Sequence, residues 1–263
     1  MTMAKTILIT GAGTGIGKAA AAALLARGHA VYATTHHDDE IAPLQQALGP
    51  GATVFRLDIT DPADRARLAD LPLDVLINNA GQAESGSLAE IDMDRVRHLF
   101  EVNLFSTLEL TQTAIPPMIA RGGGTVIFVS SVAGRIPLPF LMPYAMTKFA
   151  LSAGAAGLRS EMQTLGKGIQ VCLIEPGAYD TGFNRRMAES RYEWMARDSL
   201  FSEDQIAKMK SDSRRLLGRA EIASLDSITA KIVTAAEARR PRLRYVAPWY
   251  IAGLVRVLRA LGV

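Results

Sequence analysis

The sequence predicts an α/β chain built on a doubly wound parallel sheet flanked by helices. Three observations predict it. Short β-rich runs alternate with helix-like ones along nearly all of the 263 residues. The strand-like runs are apolar almost continuously, as strands buried on both faces are. Strands separated by helices must pair in parallel through right-handed crossovers. No linker, repeat or low-complexity tract interrupts the pattern, so residues 1–263 read as a single domain.

The elements follow in order. KTILIT (5–10) is the first strand and GKAAAAALLARG (17–28) the first helix. AVYATT (30–35) precedes the helical DDEIAPLQQAL, and ATVFRLD (52–58) precedes DPADRARLAD, with Pro near a helix start. LDVLINNAG (73–81) leads into one long helical stretch over about 93–119. TVIFVSS (125–131) precedes a helix from about Pro143. IQVCLIEPG (169–177) is followed by a polar, Met-rich insert over about 181–219, a helix near 221–239 and a last short strand, LRYVA. In such sheets ligands bind beyond the carboxyl ends of the strands, and each motif below falls at such an end.

Composition narrows the function classes. Apolar residues make up 49% and charged ones 21%, enough for a sizeable core. A net charge of +3 with dispersed arginines gives no nucleic-acid footprint. The one cysteine, Cys172, lies in the apolar IQVCLIEP, reads as a small buried thiol and excludes an intramolecular disulfide. The chain suits a reducing compartment. It opens on a strand-like run without a signal-peptide layout, and no stretch reaches about 18 uncharged apolar residues. A cytoplasmic location and no transmembrane segment are expected.

ITGAGTGIGKAA joins the first strand to the first helix. The G-x-G-x-x-G spacing does not fit, because it would require glycine at Ile16. The spacing that fits is G-x-x-x-G-x-G on Gly11, Gly15 and Gly17. Glycines there allow a tight turn, close backbone approach to a pyrophosphate and close helix-on-strand packing. The helix N-terminus adds free N–H groups and a positive dipole end. The pattern fits a Rossmann-type dinucleotide site, with an ordinary Gly-rich strand–helix turn as the competing reading.

The end of the second strand decides how an adenosine ribose is held. An acid there binds the 2′-hydroxyl and repels a 2′-phosphate. Here the residues are Thr34, Thr35, His36 and His37, with Asp38 the first acid. NADP(H) is expected, with NAD(H) the alternative. The histidine pair is no metal site, since adjacent side chains point apart and no third ligand has matching spacing. Asp58 ends the third strand and is positioned to accept from an adenine amino group. Asn78 to Gly81 form a compact turn suited to lying against a cofactor. A plain turn or helix cap competes with both of these readings.

VSSVAGRIPLPFLMPYAMTKFA carries the chemistry. Tyr144 and Lys148, at i and i+4, share one helix face. Pro143 suits the helix start, which puts Tyr144 in the first turn. The dipole there and the Lys148 charge both favour a phenolate, so the phenol pKa is expected to fall below its usual value of about 10. A tyrosine so placed exchanges a proton with a carbonyl or alcohol oxygen. Ser131, thirteen residues earlier, is positioned to hydrogen-bond the same oxygen. Ser130 is the structural member of the serine pair. No nucleophile elbow surrounds Ser131, which argues against acyl transfer. Asn103 sits in the apolar helical HLFEVNLFSTLEL, where a buried amide needs partners. It either holds a water leading protons toward Lys148 or satisfies a local carbonyl.

TGAGTGIG, NNAG, Asn103, Ser131, Y-x-x-x-K and PGAYDTG, taken in this order, resemble a short-chain dehydrogenase/reductase. The resemblance runs from Ile7 to about Val246. It implies a catalytic Ser131, Tyr144, Lys148 and Asn103, with the Lys binding a nicotinamide ribose and the Asn supporting a proton relay. It implies cofactor contacts from Gly11, Thr14, Gly15, Ile16 and Gly17, from Thr35 and His36, and from Asp58 and Ile59. Asn79, Ala80, Gly81, Pro176, Gly177 and Thr181 complete that set with Tyr144 and Lys148. It also implies hydride transfer between NAD(P)H and a carbonyl or alcohol carbon, in a homodimer or homotetramer. VYATT resembles the NADP-using hydroxysteroid or retinol branch, whose members usually carry Arg where this chain has His36. A basic residue inside the glycine turn, common in other NADP users, is replaced by Thr14.

The substrate wall is expected from RIPLPFLM, through Leu138 and Phe140, from Tyr179, and from the insert, through Phe183, Trp194 and Met195. Aromatic and Met side chains there predict an apolar carbonyl or secondary alcohol, with the insert as a water-excluding lid. The apolar C-terminus, with Arg256 and Arg259, reads as a subunit contact rather than a membrane-surface helix. Two other functions use the same residues: a non-catalytic dinucleotide sensor, and an epimerase or dehydratase. Both are disfavoured, the first by the intact Tyr and Lys, the second by the turn spacing and the chain length.

Overall fold

The computed structural model describes residues 3–195 and 199–261. Seven strands form one parallel sheet in the order β3-β2-β1-β4-β5-β6-β7. They are β1 (Thr6–Ile9), β2 (Ala30–Thr35), β3 (Ala52–Arg56), β4 (Val75–Asn78), β5 (Gly124–Val129), β6 (Ile169–Pro176) and β7 (Arg244–Ala247). The order reverses between β1 and β4, which opens a crevice beyond the carboxyl ends of the two central strands.

Because side chains alternate across a strand, the continuous apolar runs feed two cores. Ile7, Ile9, Val75, Ile77, Ile127 and Cys172 pack on one face, against α1 (Gly15–Ala26) and α9 (Asp226–Glu237). Leu8, Leu76, Val126, Phe128 and Leu173 pack on the other, against α5 (Thr107–Ala120) and α6 (Met142–Leu165). Each fully buried Leu, Ile or Phe contributes roughly 1.5–3 kcal/mol relative to exposure, so the sheet is the rigid part of the molecule. Cys172 is an inert core thiol, its pKa pushed up to about 12 by burial.

Smaller helices complete the windings: α2 (Ile41–Leu48), α3 (Pro62–Ala66) and α4 (Met93–Phe100). The single helix expected over about 93–119 is two. A π-helical turn, Glu101–Ser106, separates α4 from α5. Side chains explain the wider turn. The Thr107 hydroxyl donates to Val102 O (3.1 Å), five residues back, and Ser106 donates to Glu101 (2.9 Å). The insert after β6 contains two helices, α7 (Phe183–Met195) and α8 (Glu203–Ala220). The Ser202 hydroxyl and the Gln205 side chain cap α8 reciprocally. The chain ends in α10 (Trp249–Ala260).

Candidate active site

A cavity of about 940 Å³ opens at the crevice and runs from the glycine turn to helices α7 and α8. At its inner end the glycines have no room for side chains. A Cβ on Gly11 would lie 2.8 Å from Ala80 Cα, and one on Gly17 2.5 Å from Gly11 O and Asn79 Nδ2. Gly11 and Gly15 have φ of 63° and 55°, which L side chains adopt only under strain. Asn79 clamps the turn, its Nδ2 donating to Thr10 O and Gly11 O (both 2.9 Å). The Thr10 hydroxyl in turn accepts from the N–H groups of Asn79 (3.0 Å) and Ala80 (2.9 Å). Helix α1 begins here, and its N-cap Thr14 makes no side-chain cap. Unused helix N–H groups beside a tight glycine turn fit a pyrophosphate.

Next to this turn lie Thr35, His36, Asp58 and Ile59. His36 is tied down, Nε2 to Asp58 (3.2 Å) and Nδ1 to His37 (3.1 Å). Asp58 also accepts from the backbone N–H (2.9 Å) and hydroxyl (2.7 Å) of Thr60. These bonds and the nearby imidazole outweigh a burial effect that opposes them, so its carboxyl sits below the ordinary range. A carboxylate already used by three donors is less free for an adenine amino group than the sequence implies. Glu40 also lines this end, its carboxylate 3.3 Å from the Cβ position of Gly13, whereas Asp38 is outside the cavity wall. Its distance from the glycine turn in sequence hides Glu40. The histidine before it, closing a short 3-10 turn with it as a capping box, is the one local cue.

Thr14, Ile16, Ala80, Gly81, Pro176, Gly177 and Thr181 border the same cavity. Thr181 lies over the glycine turn, 3.1 Å from the Cβ position of Gly15.

Helix α6 starts with Met142 and Pro143, which puts Tyr144 in its first turn. The phenol is buried and within hydrogen-bond reach of Ser131. Ser131 is itself held by the Ala133 N–H at 3.1 Å. Lys148 Nζ lies 5.6 Å from the centre of the Tyr144 ring and donates to Val129 O at 3.0 Å. Burial lowers the Lys148 pKa to about 8. It also raises the Tyr144 pKa well above the ordinary phenol value, and the Ser131 bond offsets only part of this. The expectation of a lowered phenol pKa is therefore overturned. The ammonium points at a carbonyl rather than at the phenol oxygen, and desolvation outweighs the charge and dipole. In this state the Tyr144 phenol is protonated.

Asn103 is fully engaged beneath the cavity and does not line it. Its Oδ1 accepts from Gln82 N–H (2.8 Å), and its Nδ2 donates to Gln82 O (2.9 Å) and Thr147 Oγ1 (3.1 Å). Its Oδ1 lies 3.1 Å and Lys148 Nζ 3.7 Å from the Cβ position of Gly81, so the amide and the ammonium flank one spot. Ser130 donates to Lys148 O (3.2 Å) and bonds Ser152 (2.9 Å), away from the phenol.

The outer wall is formed by Leu138, Phe140, Tyr179, Phe183 and Met187. The Tyr179 hydroxyl is turned outward to Ser227 (2.7 Å). Phe140 has φ 62°, a strained value for a bulky residue, and its carbonyl accepts from Gly86 N–H (2.8 Å). Two expected wall residues, Trp194 and Met195, lie outside the cavity. Met195 is 1% exposed. The Trp194 ring packs on Gly86, so closely that a Cβ there would lie 2.3 Å from Cζ2. Position along α7 explains this: Trp194 shares the face of Phe183, Met187 and Arg191 (i, i+4, i+8, i+11) but lies about one turn beyond Arg191, past the end of the cavity and against Gly86. The polar, Met-rich composition of the insert does not tell how far along its helices the cavity reaches. Arg186, Arg191 and Asp212, also on the wall, were missed for the same reason.

Fold and site together define a nicotinamide-dinucleotide oxidoreductase. Residues 5–191 match the family model for the short chain dehydrogenases, and the chain belongs to that family, as an NAD(P)-dependent dehydrogenase/reductase. It is 30% identical over 264 residues to Uncharacterized oxidoreductase YbbO of Escherichia coli K12, covering 97% of this chain and 91% of that one. Identity to Uncharacterized oxidoreductase YusZ of Bacillus subtilis is 35%, over 67% of this chain and 66% of that protein. Human 17-beta-hydroxysteroid dehydrogenase type 1 matches at 30%, over 92% of this chain and 77% of that one. A solved short-chain dehydrogenase from Streptomyces avermitilis superposes with TM-score 0.78 at 28% identity, over 98% and 95% of the two chains. A Burkholderia phymatum family member in complex with NAD shares the fold, with TM-score 0.81 at 22% identity, over 97% of this chain and 92% of that one. No helix among the described residues is long and apolar enough to cross a membrane.

Proposed function

We propose that the chain transfers a hydride between NADP(H) and the carbonyl or secondary alcohol carbon of an apolar small molecule, with Tyr144 as the general acid/base. The observation that carries this reading is one continuous cavity with the side-chain-free glycine turn at one end and Ser131, Tyr144 and Lys148 further along. The dinucleotide, when bound, supplies or accepts the hydride. Gly11 to Gly17, Thr35, His36, Asp58, Ile59, Asn79 to Gly81, Pro176, Gly177 and Thr181 would hold it. In reduction, the protonated Tyr144 gives its proton to the carbonyl oxygen as negative charge develops there. The Ser131 hydroxyl donates to that oxygen and orients it. Lys148, charged below its pKa of about 8, stabilises the phenolate left behind. Asn103 holds the Gln82 backbone and Thr147 around that ammonium.

Preference for NADP(H) over NAD(H) is supported by hydroxyls and imidazoles, rather than a carboxylate, at the end of β2. Glu40 and Asp58 at the same end work against a 2′-phosphate, so the preference is expected to be small, about tenfold, or about 1.4 kcal/mol. An apolar substrate is supported by Leu138, Phe140, Phe183 and Met187 on the wall. We read the chain as one catalytic unit with residues 181–219 as its lid. Exposed Trp249, Tyr250, Leu254 and Val257 on α10 support a homodimer or homotetramer. The test is titration with NADPH and NADH, followed by turnover of a small carbonyl library. Cofactor oxidation on some aldehyde or ketone, abolished in Tyr144→Phe, is the expected result. Full activity in Tyr144→Phe sinks the mechanism.

A further inference from the structure

Two buried charges on the cavity wall lack a carboxylate partner among the described residues: Lys148, which belongs to the Ser131–Tyr144–Lys148 set and donates to Val129 O, and Arg191, which that set does not use. Glu175, fully buried on β6, is met by Arg135 (3.0 Å) and Arg244. Buried Arg65 reaches Glu109 and Ile59 O, and buried Asp64 meets Arg56. Arg191 on α7 is 8% exposed and borders the cavity. Its Nε–H donates to Ala188 O (3.1 Å), one turn back on its own helix. Neither terminal nitrogen meets an acceptor, and no carboxylate pairs with the guanidinium, among the described residues. It is steadied by aromatic faces instead, lying 5.9 Å from the Phe140 ring centre and 5.4 Å from that of Tyr192. The nearest cavity acid on α8, Asp212, is taken by Arg215 at 3.0 Å. Arg186, also on the wall, adds a second positive charge.

Neither terminal nitrogen is among the sealed, unpartnered atoms, so the fork faces open space; partial desolvation without a counter-charge is still costly, and a guanidinium cannot relieve it by losing its proton. The fork of terminal N–H groups matches a carboxylate or phosphate oxygen pair. We propose that Arg191 binds an anionic group at the end of the substrate remote from its carbonyl. The spacing follows from α7. Phe183 stacks edge-on to Tyr144 at 5.8 Å, and Met187 packs in the same cluster as the phenol. Arg191 lies four residues beyond Met187 and eight beyond Phe183, about 6 and 12 Å along the helix axis. The substrate class is then an oxo acid, or an oxo phosphate ester, with an apolar chain of several carbons between the carbonyl and the anion. This deepens the oxidoreductase reading above and rests on it.

The test is calorimetric titration of the full chain with octanoate, octyl phosphate and methyl octanoate, with parallel turnover of an oxo acid and its methyl ester. The wild type is expected to bind at least one of the two anions more than about tenfold more tightly than the ester, and which one identifies the head group. Arg191→Gln is expected to erase that ratio, and Arg191→Lys, which keeps the charge without the fork, to cut it severalfold. Equal binding of anions and ester by the wild type overturns the proposal, even if the ester is turned over and the oxidoreductase reading stands. An equal loss for anions and ester in Arg191→Gln also overturns it, as does a ratio unchanged in both variants. Anion-selective binding without turnover of any carbonyl supports the anion site and sinks the oxidoreductase reading.

Discussion

The two ends of the cavity are built on opposite principles. The cofactor end is backbone: glycines with no space for a Cβ, N–H groups at the start of α1, and the Asn79 clamp on Thr10 O and Gly11 O. The end at α7, which we propose as a lid, is side chains. Helix α7 is fastened to the 84–90 region by Ser85 to Met187 O and Ser190 to Glu84 (2.9 Å), and Ser199 reaches Glu90 (2.9 Å). The backbone end can serve one ligand shape only. The lid end changes its ligand by changing one face of a helix. A common reaction with variable substrates needs this division.

The largest expected effect isolates the chemistry that lies between the ends. Tyr144→Phe should lower kcat by about 10²–10⁴. Dinucleotide affinity, read by NADPH fluorescence, should hardly move. A comparable loss of cofactor binding would place the phenol in the cofactor end instead.

Two glycine variants then set the ends against each other. Gly17→Ala drives a Cβ to 2.5 Å from a backbone oxygen, which cannot swing aside. It should lose about 1–3 kcal/mol of stability, together with dinucleotide affinity. Gly86→Ala drives its Cβ to 2.3 Å from the Trp194 ring, at φ 148°. There the effect should fall on substrate KM and on amide exchange in α7, with dinucleotide affinity kept. Loss of cofactor binding in both variants would erase the distinction.

Lys148 gives a pH test. Its folded pKa of about 8 lies below the usual lysine value, so folding is penalised while the group is charged in both states. Between pH 8 and the unfolded pKa of about 10.4 the unfolded chain binds the extra proton, and stability rises with pH. The gain is on the order of 3 kcal/mol. Lys148→Met should be the more stable protein near pH 7, with the gap closing toward pH 10. A gap independent of pH in chemical denaturation would show that Lys148 is not desolvated.

The division also explains what was legible in the sequence. The strands and their parallel order follow from continuous apolar runs, and the cofactor end follows from glycine, whose spacing encodes backbone shape. Side-chain chemistry was less legible. Tyr144 and Lys148 were found by their shared helix face, but the direction of the phenol pKa was missed. Burial depends on Phe183 and Met187 folding back over the ring from 39 and 43 residues away in sequence. The π-helical turn at Asn103 was hidden because it depends on hydroxyls and on Gln82, twenty-one residues upstream. Arg191 was hidden because a lone arginine in a polar insert resembles a solvated one.

Trp194 gives the smallest effect and the sharpest check on that lesson. As a wall residue it would grip the substrate, and Trp194→Phe would raise KM. In the structure it packs on Gly86 outside the cavity, and its Nε1–H is buried without an acceptor among the described residues. Phe keeps most of the packing and removes a donor whose burial costs about 1–3 kcal/mol. The lost ring volume works the other way by a similar amount. Trp194→Phe should therefore leave stability within about 1 kcal/mol of wild type and KM unchanged. Phe140→Ala, on the wall and against Arg191, should raise KM clearly. If the two variants change KM alike, the substrate reaches about a turn further along α7 than Arg191. Arg191, one turn short of Trp194, would then no longer mark the end of the substrate, and the anion site would lose its geometry.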